Sequence, residues 1–161
     1  MMRVGMGEDL HRIDEARPLI LGGVTIKGAP GLAGHSDADV LLHAITDAVL
    51  GAAGKGDLGT HFPSSQERWA EGDSTQFLRE ALRMAHDDNW LLTNMDATVH
   101  AEHPRLEPHL PSISQSIARI LGTNHERVNV KAKSGEGLDA VGRGEAIRAT
   151  AVVLLEAAPQ S

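Results

Sequence analysis

The chain has no cysteine and no tyrosine, and its 161 residues include only two phenylalanines and two tryptophans. Without thiols, disulfides and thiolate chemistry are excluded, and any metal must rest on histidine and carboxylate. With so few rings, the core is left to Ala, Val, Leu, Ile and Met, and a surface that stacks many exposed bases is disfavoured. No 18-residue apolar run occurs, and the N-terminal residues form neither an apolar signal segment nor a visible transit peptide. The expectation is therefore a cytoplasmic protein that does not engage a membrane. Cations are also in deficit: 15 Lys and Arg against 22 Asp and Glu leave a net charge of −7. That is the wrong sign for neutralising many backbone phosphates, so no nucleic-acid partner is expected. An anionic ligand must instead be met locally, by a metal, backbone amides or a few placed cations.

What is present is an ordinary globular composition, 41% hydrophobic and 23% charged, enough for one domain with a core of its own. Residues 1–158 read as that domain and 159–161 as a tail. Met2 to Gly7 is short and apolar enough for a strand, and glycines in Gly5-x-Gly7 would let the backbone turn sharply beside a site. Leu19–Leu21 and Val24–Ile26 flank Gly22-Gly23 as a β-hairpin, because Gly-Gly supplies the positive φ angles of a tight turn. Residues 28–34 read as a Gly/Pro-rich loop. A helix opens at Ser36 or Asp37 and is stopped by Gly54 and Gly56. Residues 57–65 read as loop, and Ser74 reads as the cap of a helix that runs to about Asp87. Trp90 to Ala101 alternates like a strand, residues 102–108 form a two-proline loop, and a third helix spans Leu110 to Leu121. Val128 to Lys133 is strand, 134–145 a glycine-rich run, and Ala146 to Leu155 a last strand. Strands and helices alternate, which is the pattern of a single α/β (α+β) domain.

The unusual chemistry is concentrated in residues 34–47. In a helix there, Asp39, His43 and Asp47 fall at i, i+4 and i+8, on one face. A solvated helix face is the plain explanation. Upstream, Asp9-x-His11 points two ligand-type side chains to the same side of an extended segment. Asp9, His11 and His43 would together make a three-ligand zinc site with a fourth position open; nine histidines also make chance pairings easy. The run 134–144 offers backbone amides for phosphate, with Lys131, Lys133 and Arg143 nearby, but lacks the Gly-Lys-Ser/Thr ending of a P-loop. Glu136 within it is either a Mg²⁺ ligand bridging phosphates or a solvated acid. Asp57-Leu58-Gly59 could take ribose hydroxyls or be a common turn.

In chain order these pieces resemble one family. They are Gly5-x-Gly7-x-Asp9-x-His11, then Gly34-His35-Ser36-Asp37-x-Asp39-x-x-x-His43-Ala44-x-x-Asp47-Ala48, then Gly56-Asp57-x-Gly59-x-x-Phe62-Pro63. Val128-Asn129-Val130-Lys131-Ala132 and Gly142-Arg143-Gly144-Glu145 follow. The chain resembles the 2-C-methyl-D-erythritol 2,4-cyclodiphosphate synthases over essentially its whole length. The resemblance implies release of CMP from 4-diphosphocytidyl-2-C-methyl-D-erythritol 2-phosphate with closure of a cyclic diphosphate, in the non-mevalonate isoprenoid pathway. It implies a phosphorus–oxygen lyase with Zn²⁺ on Asp9, His11 and His43 and Mg²⁺ or Mn²⁺ on Glu136. His35 and Ser36 would contact phosphate and erythritol, and Asp57, Leu58, Gly59 and Phe62 the ribose and substrate. The loop of Ala101, Glu102, His103, Pro104, Arg105, Leu106 and Glu107 would form the cytidine pocket. Lys133, Ser134, Gly135 and Arg143 would lie on the phosphate side, with His35 and Ser134 stabilising the transition state. Asp39 and Asp47 read as carboxylates that orient the imidazoles or tie down the helix.

The implied fold is a mixed sheet with helices on one face, three such sheets facing one another in a homotrimer with active sites between subunits. The chain departs from the family pattern at Glu8 and Ala140, at Ser64, and at Lys133 and Gly135. Two other readings compete: a zinc-dependent phosphodiesterase that uses water, and a non-catalytic nucleotide- or isoprenoid-binding module. The products separate the enzymes, since the phosphodiesterase would release CMP with an open-chain bisphosphate.

Overall fold

Among the described residues five strands carry the fold: β1 (Met2–Leu21), β2 (Val24–Leu32), β3 (Trp90–His100), β4 (Val128–Lys133) and β5 (Ala146–Ala157). The computed structural model describes residues 1–63 and 72–159; Ser64 and the last two residues of the expected tail lie outside them. The strands form one sheet in the order β2-β1-β5-β3-β4. β3 and β4 run parallel, and the other neighbours antiparallel, so the sheet is mixed as expected. Period-2 alternation sets its two faces. Met95, Ala97 and Val99 of β3 and Ile147, Ala149, Ala151, Val153 and Leu155 of β5 are buried on one side. On the other, Val4, Met6 and Leu10 of β1 and Val152 of β5 are exposed.

The buried face is covered by α1 (Val40–Ala53), with α3 (Ser74–Asp87) and α4 (Leu110–Leu121) beside it. Twelve of the fourteen residues of α1 are buried, so it is a central helix and its Asp39-His43-Asp47 stripe is no solvated face. Fully buried Leu41, Leu42, Ile45 and Leu50 each contribute about 2 kcal/mol of transfer free energy.

Several local readings are corrected. β1 does not end at Gly7: it pairs with β5 from Met2↔Glu156 to Arg12↔Ala146, then with β2 through Ile13↔Leu32 and beyond. Its polar middle is held by cross-strand pairing that local composition does not display. Gly5 and Gly7 do not turn the chain; a Cβ on Gly5 would meet the Ala48 carbonyl oxygen at 1.9 Å, and one on Gly7 that of Ala44 at 2.0 Å. They are glycine because α1 lies on the backbone of β1. β2 continues through most of the expected loop 28–34, to Leu32, with register shifts near Pro18.

The hairpin turn at Gly22-Gly23 stands, with φ of 61° and 75°. α1 begins at Val40 and not at Ser36 or Asp37, because Ser36 (φ 62°) and Ala38 (φ 54°) are left-handed and Asp39 is the cap. Asp73, not Ser74, caps α3 by accepting from the Thr75 N–H. The expected loop at 57–65 contains a one-turn helix, α2 (Leu58–His61), and the glycine-rich run contains another, α5 (Asp139–Gly142).

A methyl group at Gly7 has nowhere to go except into helix backbone. We expect Gly7→Ala to lower stability by about 3 kcal/mol or more, read as a shifted urea midpoint in far-UV circular dichroism. A shift under 1 kcal/mol would contradict the close strand–helix contact.

Candidate metal and substrate site

β1 presents Asp9 and His11 on the face that α1 covers, and α1 lowers His43 onto them. The three donor atoms converge: His11 Nε2 lies 2.7 Å from Asp9 Oδ2, His43 Nδ1 lies 3.0 Å from the same oxygen, and the two nitrogens are 3.3 Å apart. Together they can hold a metal ion. His11 Nδ1 sits 2.6 Å from the Ala33 carbonyl, which only accepts, so that nitrogen carries the proton and Nε2 offers a lone pair. A tetrahedral ion with ligand distances of about 2.0–2.1 Å spaces its ligand atoms about 3.3 Å apart, so two imidazoles and a carboxylate at these separations fit one. Gly34 makes room for His11, whose Cε1 and Nδ1 would lie 2.6 Å from a Cβ there.

The electrostatics follow from the same contacts. Burial pushes the Asp9 carboxyl up, but its bonds to His11 and His43 together outweigh this and hold it well below the usual carboxylate range. For His11, burial acts downward and the hydrogen bond and charge of Asp9 win, so its pKa is raised above 6.5. Without a metal ion, a proton on His11 answers the Asp9 charge.

An open cavity of about 490 Å³ adjoins the triad. Its wall includes His35, Ser36, Asp47, Asp57, Leu58, Gly59 and both phenylalanines, Phe62 and Phe77. The two rings stack with centroids 4.8 Å apart and form its apolar side. Asp57 caps α2 by accepting from the Thr60 N–H at 2.8 Å and the Thr60 hydroxyl at 2.7 Å, which lowers its pKa. The Leu58 N–H donates to Asp47 at 2.6 Å, so Asp47 ties the start of α2 to α1. Burial raises the Asp47 pKa against that bond.

Asp39 is fully buried. Its carboxylate takes the N–H groups of Gly22 and Gly23 at 3.0 and 2.7 Å and those of Leu41 and Leu42 at 3.2 and 3.0 Å. It therefore pins the start of α1 to the β1–β2 turn, and these bonds go to backbone, not to an imidazole. Of the two roles expected for Asp39 and Asp47, tying down the helix is the one their contacts describe. Burial pushes the Asp39 carboxyl up to about 6, against the pull of the Leu42, Gly23 and Gly22 N–H groups.

Local reading gave three residues no role in the site. Arg17 donates to the Gly34 carbonyl at 2.6 Å and to the Ser36 carbonyl, clamping the strained turn that carries His35 and Ser36. Asp37 accepts from the Ser74 hydroxyl and, at 3.2 Å, from the Ser74 N–H. Ser74 in turn lies 2.9 Å from His43 Nε2. Arg17 had no spacing to mark it, and Ser74 lies more than thirty residues from both Asp37 and His43.

The remaining expected site residues do not line this cavity. Residues 101–107 and 133–136 follow the C-terminal ends of the parallel strands β3 and β4, where open sheets present their loops to ligands. They contact each other: the Ala101 N–H donates to the Lys133 carbonyl at 2.9 Å, and the Gly135 N–H to Glu102 at 3.0 Å. Glu136 is exposed and accepts from the Ser134 hydroxyl at 3.0 Å. Arg143 pairs with Glu145 at 2.8 Å on the surface. Within one chain, two groups of expected site residues thus remain apart.

Known proteins resemble this chain in sequence and in fold. Residues 2–156 match the YgbB family. A Bordetella avium protein named 2-C-methyl-D-erythritol 2,4-cyclodiphosphate synthase is 54% identical over 153 residues, covering 95% of this chain and 94% of the relative. The structure of the bifunctional IspDF from Campylobacter jejuni superposes with a TM-score of 0.94 at 37% identity over 98% of this chain, which spans 42% of that longer one. A 2C-methyl-D-erythritol-2,4-cyclodiphosphate synthase solved in a CDP-bound form gives 0.89 at 39% identity, covering 96% of this chain and all of the other.

A metal ion at the triad must displace the His11 proton, and the raised pKa sets where that competition begins. Above it His11 is neutral and affinity is flat; below it affinity falls about tenfold per pH unit, starting at a higher pH than an ordinary imidazole gives. Asp9, held below the carboxylate range, stays ionised throughout. Zn²⁺ competition against a chromogenic chelator between pH 6 and 8.5 measures this, and a pH-independent affinity would contradict it.

Proposed function

The chain belongs to the YgbB family and has the function of the 2-C-methyl-D-erythritol 2,4-cyclodiphosphate synthases, and from that premise we propose how it works. Its substrate is 4-diphosphocytidyl-2-C-methyl-D-erythritol 2-phosphate. The 2-phosphate oxygen attacks the β-phosphorus, the bond to the CMP oxygen breaks, and CMP leaves with a cyclic diphosphate formed. The class is phosphorus–oxygen lyase, because the nucleophile belongs to the substrate itself. The observation that carries this reading is the convergence of Asp9, His11 and His43 on one point at the wall of the cavity.

Asp9, His11 and His43 would hold Zn²⁺, and Glu136 Mg²⁺ or Mn²⁺. The bound cations supply Lewis-acid stabilisation of charge on the transferring phosphates. Everything else is the work of the protein. His35 and Ser36, at the lip of the cavity on a turn clamped by Arg17, orient the phosphate and erythritol portions. Phe62 and Phe77 keep water from one side. Asp57, with Leu58 and Gly59, receives the ribose and substrate, and the loop 101–107 receives cytosine largely through backbone groups. Ser134, with Lys133 and Gly135, and with Arg143 nearby, faces the phosphates, and Ser134 and His35 donate to charge as it develops. Holding a flexible polyanion in line removes most of the entropic barrier to ring closure.

The proposed assembly is a homotrimer. The exposed side of the sheet carries Val4 and Met6, 68% and 69% accessible, beside Leu10 and Val152. A second copy seated there would bury them, and its own 101–107 and 133–136 segments could then complete the cavity these segments do not reach in one chain. Glu8 lies on that same exposed side.

With Mg²⁺ and the cytidyl substrate, phosphorus NMR should show the cyclic diphosphate appearing together with CMP; CMP with an open-chain bisphosphate would indicate hydrolysis instead. His43→Ala should abolish both bound zinc and CMP release while circular dichroism remains native, and normal turnover by this variant would overturn the metal assignment. Glu136→Gln should raise the Mg²⁺ concentration needed for half-maximal turnover severalfold, and an unchanged titration would remove Glu136 from the metal site.

A further inference from the structure

We propose that Asp37 and Ser74 are a positioning pair that keeps the His43 proton on Nε2 and thereby turns Nδ1, as a lone-pair donor, toward Asp9 and His11. The inference rests on the metal reading above and extends it to two residues outside the expected ligand and substrate sets.

The direction of each bond follows from what each group can do. The Asp37 carboxylate only accepts. It takes the Ser74 hydroxyl on one oxygen and the Ser74 N–H, at 3.2 Å, on the other. With its single proton committed to Asp37, the Ser74 oxygen can only accept from His43, whose Nε2 lies 2.9 Å away. That nitrogen must therefore be the donor. The Ser36 hydroxyl is more distant, at 3.3 Å from both His43 Nε2 and Ser74 Oγ, and can donate to the same Ser74 oxygen. The Ala38 N–H, also at 3.3 Å, supplies a donor to Ser36 Oγ. Each proton from Asp37 through Ser74 to His43 Nε2 then has one consistent place.

Burial makes this arrangement consequential. Ser74 and Ser36 are 0% and 5% accessible and His43 9%, so water does not readily substitute for a lost partner. The outcome parallels His11 across the triad, whose Nδ1 is committed to the Ala33 carbonyl. Each imidazole is oriented from behind by an acceptor, and each presents its other nitrogen to the shared point.

Asp37→Asn tests the direction of the chain without touching His43. If the new amide keeps its carbonyl on the Ser74 N–H, its NH₂ donates to Ser74 Oγ. The Ser74 hydroxyl then turns to donate to His43 Nε2, opposing the tautomer that ligation by Nδ1 requires. Ser74→Ala removes the acceptor outright.

The experiment is Zn²⁺ affinity by chelator competition for wild type, Ser74→Ala, Asp37→Asn and the double variant, with folding of each checked by circular dichroism. Proton NMR of the zinc-loaded proteins accompanies it. Each single variant should bind Zn²⁺ about 10- to 100-fold more weakly. The double variant should be no weaker than Ser74→Ala alone, because Asp37 acts through Ser74. The slowly exchanging downfield His43 Nε2–H signal of wild type should be lost in Ser74→Ala. Single variants within twofold of wild type, additive losses in the double, or an unprotected Nε2–H in wild type would each overturn the pair while leaving the metal reading intact. A wild-type protein that binds no Zn²⁺ would overturn both.

Discussion

The approach of α1 to the backbone of β1 is the constraint on which the rest depends. Two glycines in the strand leave the carbonyl oxygens of Ala44 and Ala48 resting where side chains would otherwise stand. His43 rides on the same helix, one residue before Ala44, and reaches Asp9 and His11 only because the helix is seated this low. A bulkier strand would lift the helix and separate the three donors by more than a ligand bond can absorb. Packing density and metal chemistry are here one requirement.

Around that contact the structure spends its polar groups on holding position. Asp39 is buried with no cationic partner among the described residues and bonds backbone N–H groups from both the helix start and the β1–β2 turn. Asp47 joins α1 to α2 and so shapes the cavity wall, while Arg17 secures the left-handed turn between β2 and α1. A net charge of −7 suits a site whose positive field would come from bound cations, not from lysines. Function in such a site depends on orientation: the substrate carries its own nucleophile, and the protein's task is to bring phosphate oxygen and phosphorus into line.

The sheet divides the expected site residues between two places. Asp9, His11, His43 and the 57–62 segment share one cavity, whereas the 101–107 and 133–136 loops meet each other beyond the ends of β3 and β4. Motifs that lie in one unbroken order along the sequence thus fall into two groups in space, and the proposed trimer is the arrangement that would rejoin them. The uncovered apolar side of β1 and β5 is its physical motive, since burying side chains such as Val4 and Met6 stabilises association.

Much was legible in the chain itself. The absence of cysteine confined metal chemistry to His and carboxylate, Asp9-x-His11 defined a two-ligand edge by strand alternation, and apolar periodicity located α3, α4, β3 and β4 closely. The Gly-Gly hairpin was legible because its turn is dictated by φ angles that only local chemistry sets. Other features depended on distant partners. Gly5 and Gly7 looked like turn residues until the helix above them was placed, and β1 looked short because its polar half is sustained by β5, more than a hundred residues away. Asp39 and His43 share one helical face, yet one is bound by four backbone N–H groups and the other meets a carboxylate and an imidazole. Ser74 and Asp37 were legible only as helix-start residues, because nothing local shows that they meet each other. Residue type and short-range spacing determined which atoms could bind a metal; only the tertiary structure decided which of them meet, because convergence within about 3 Å is a property of packed backbones and not of periodicity.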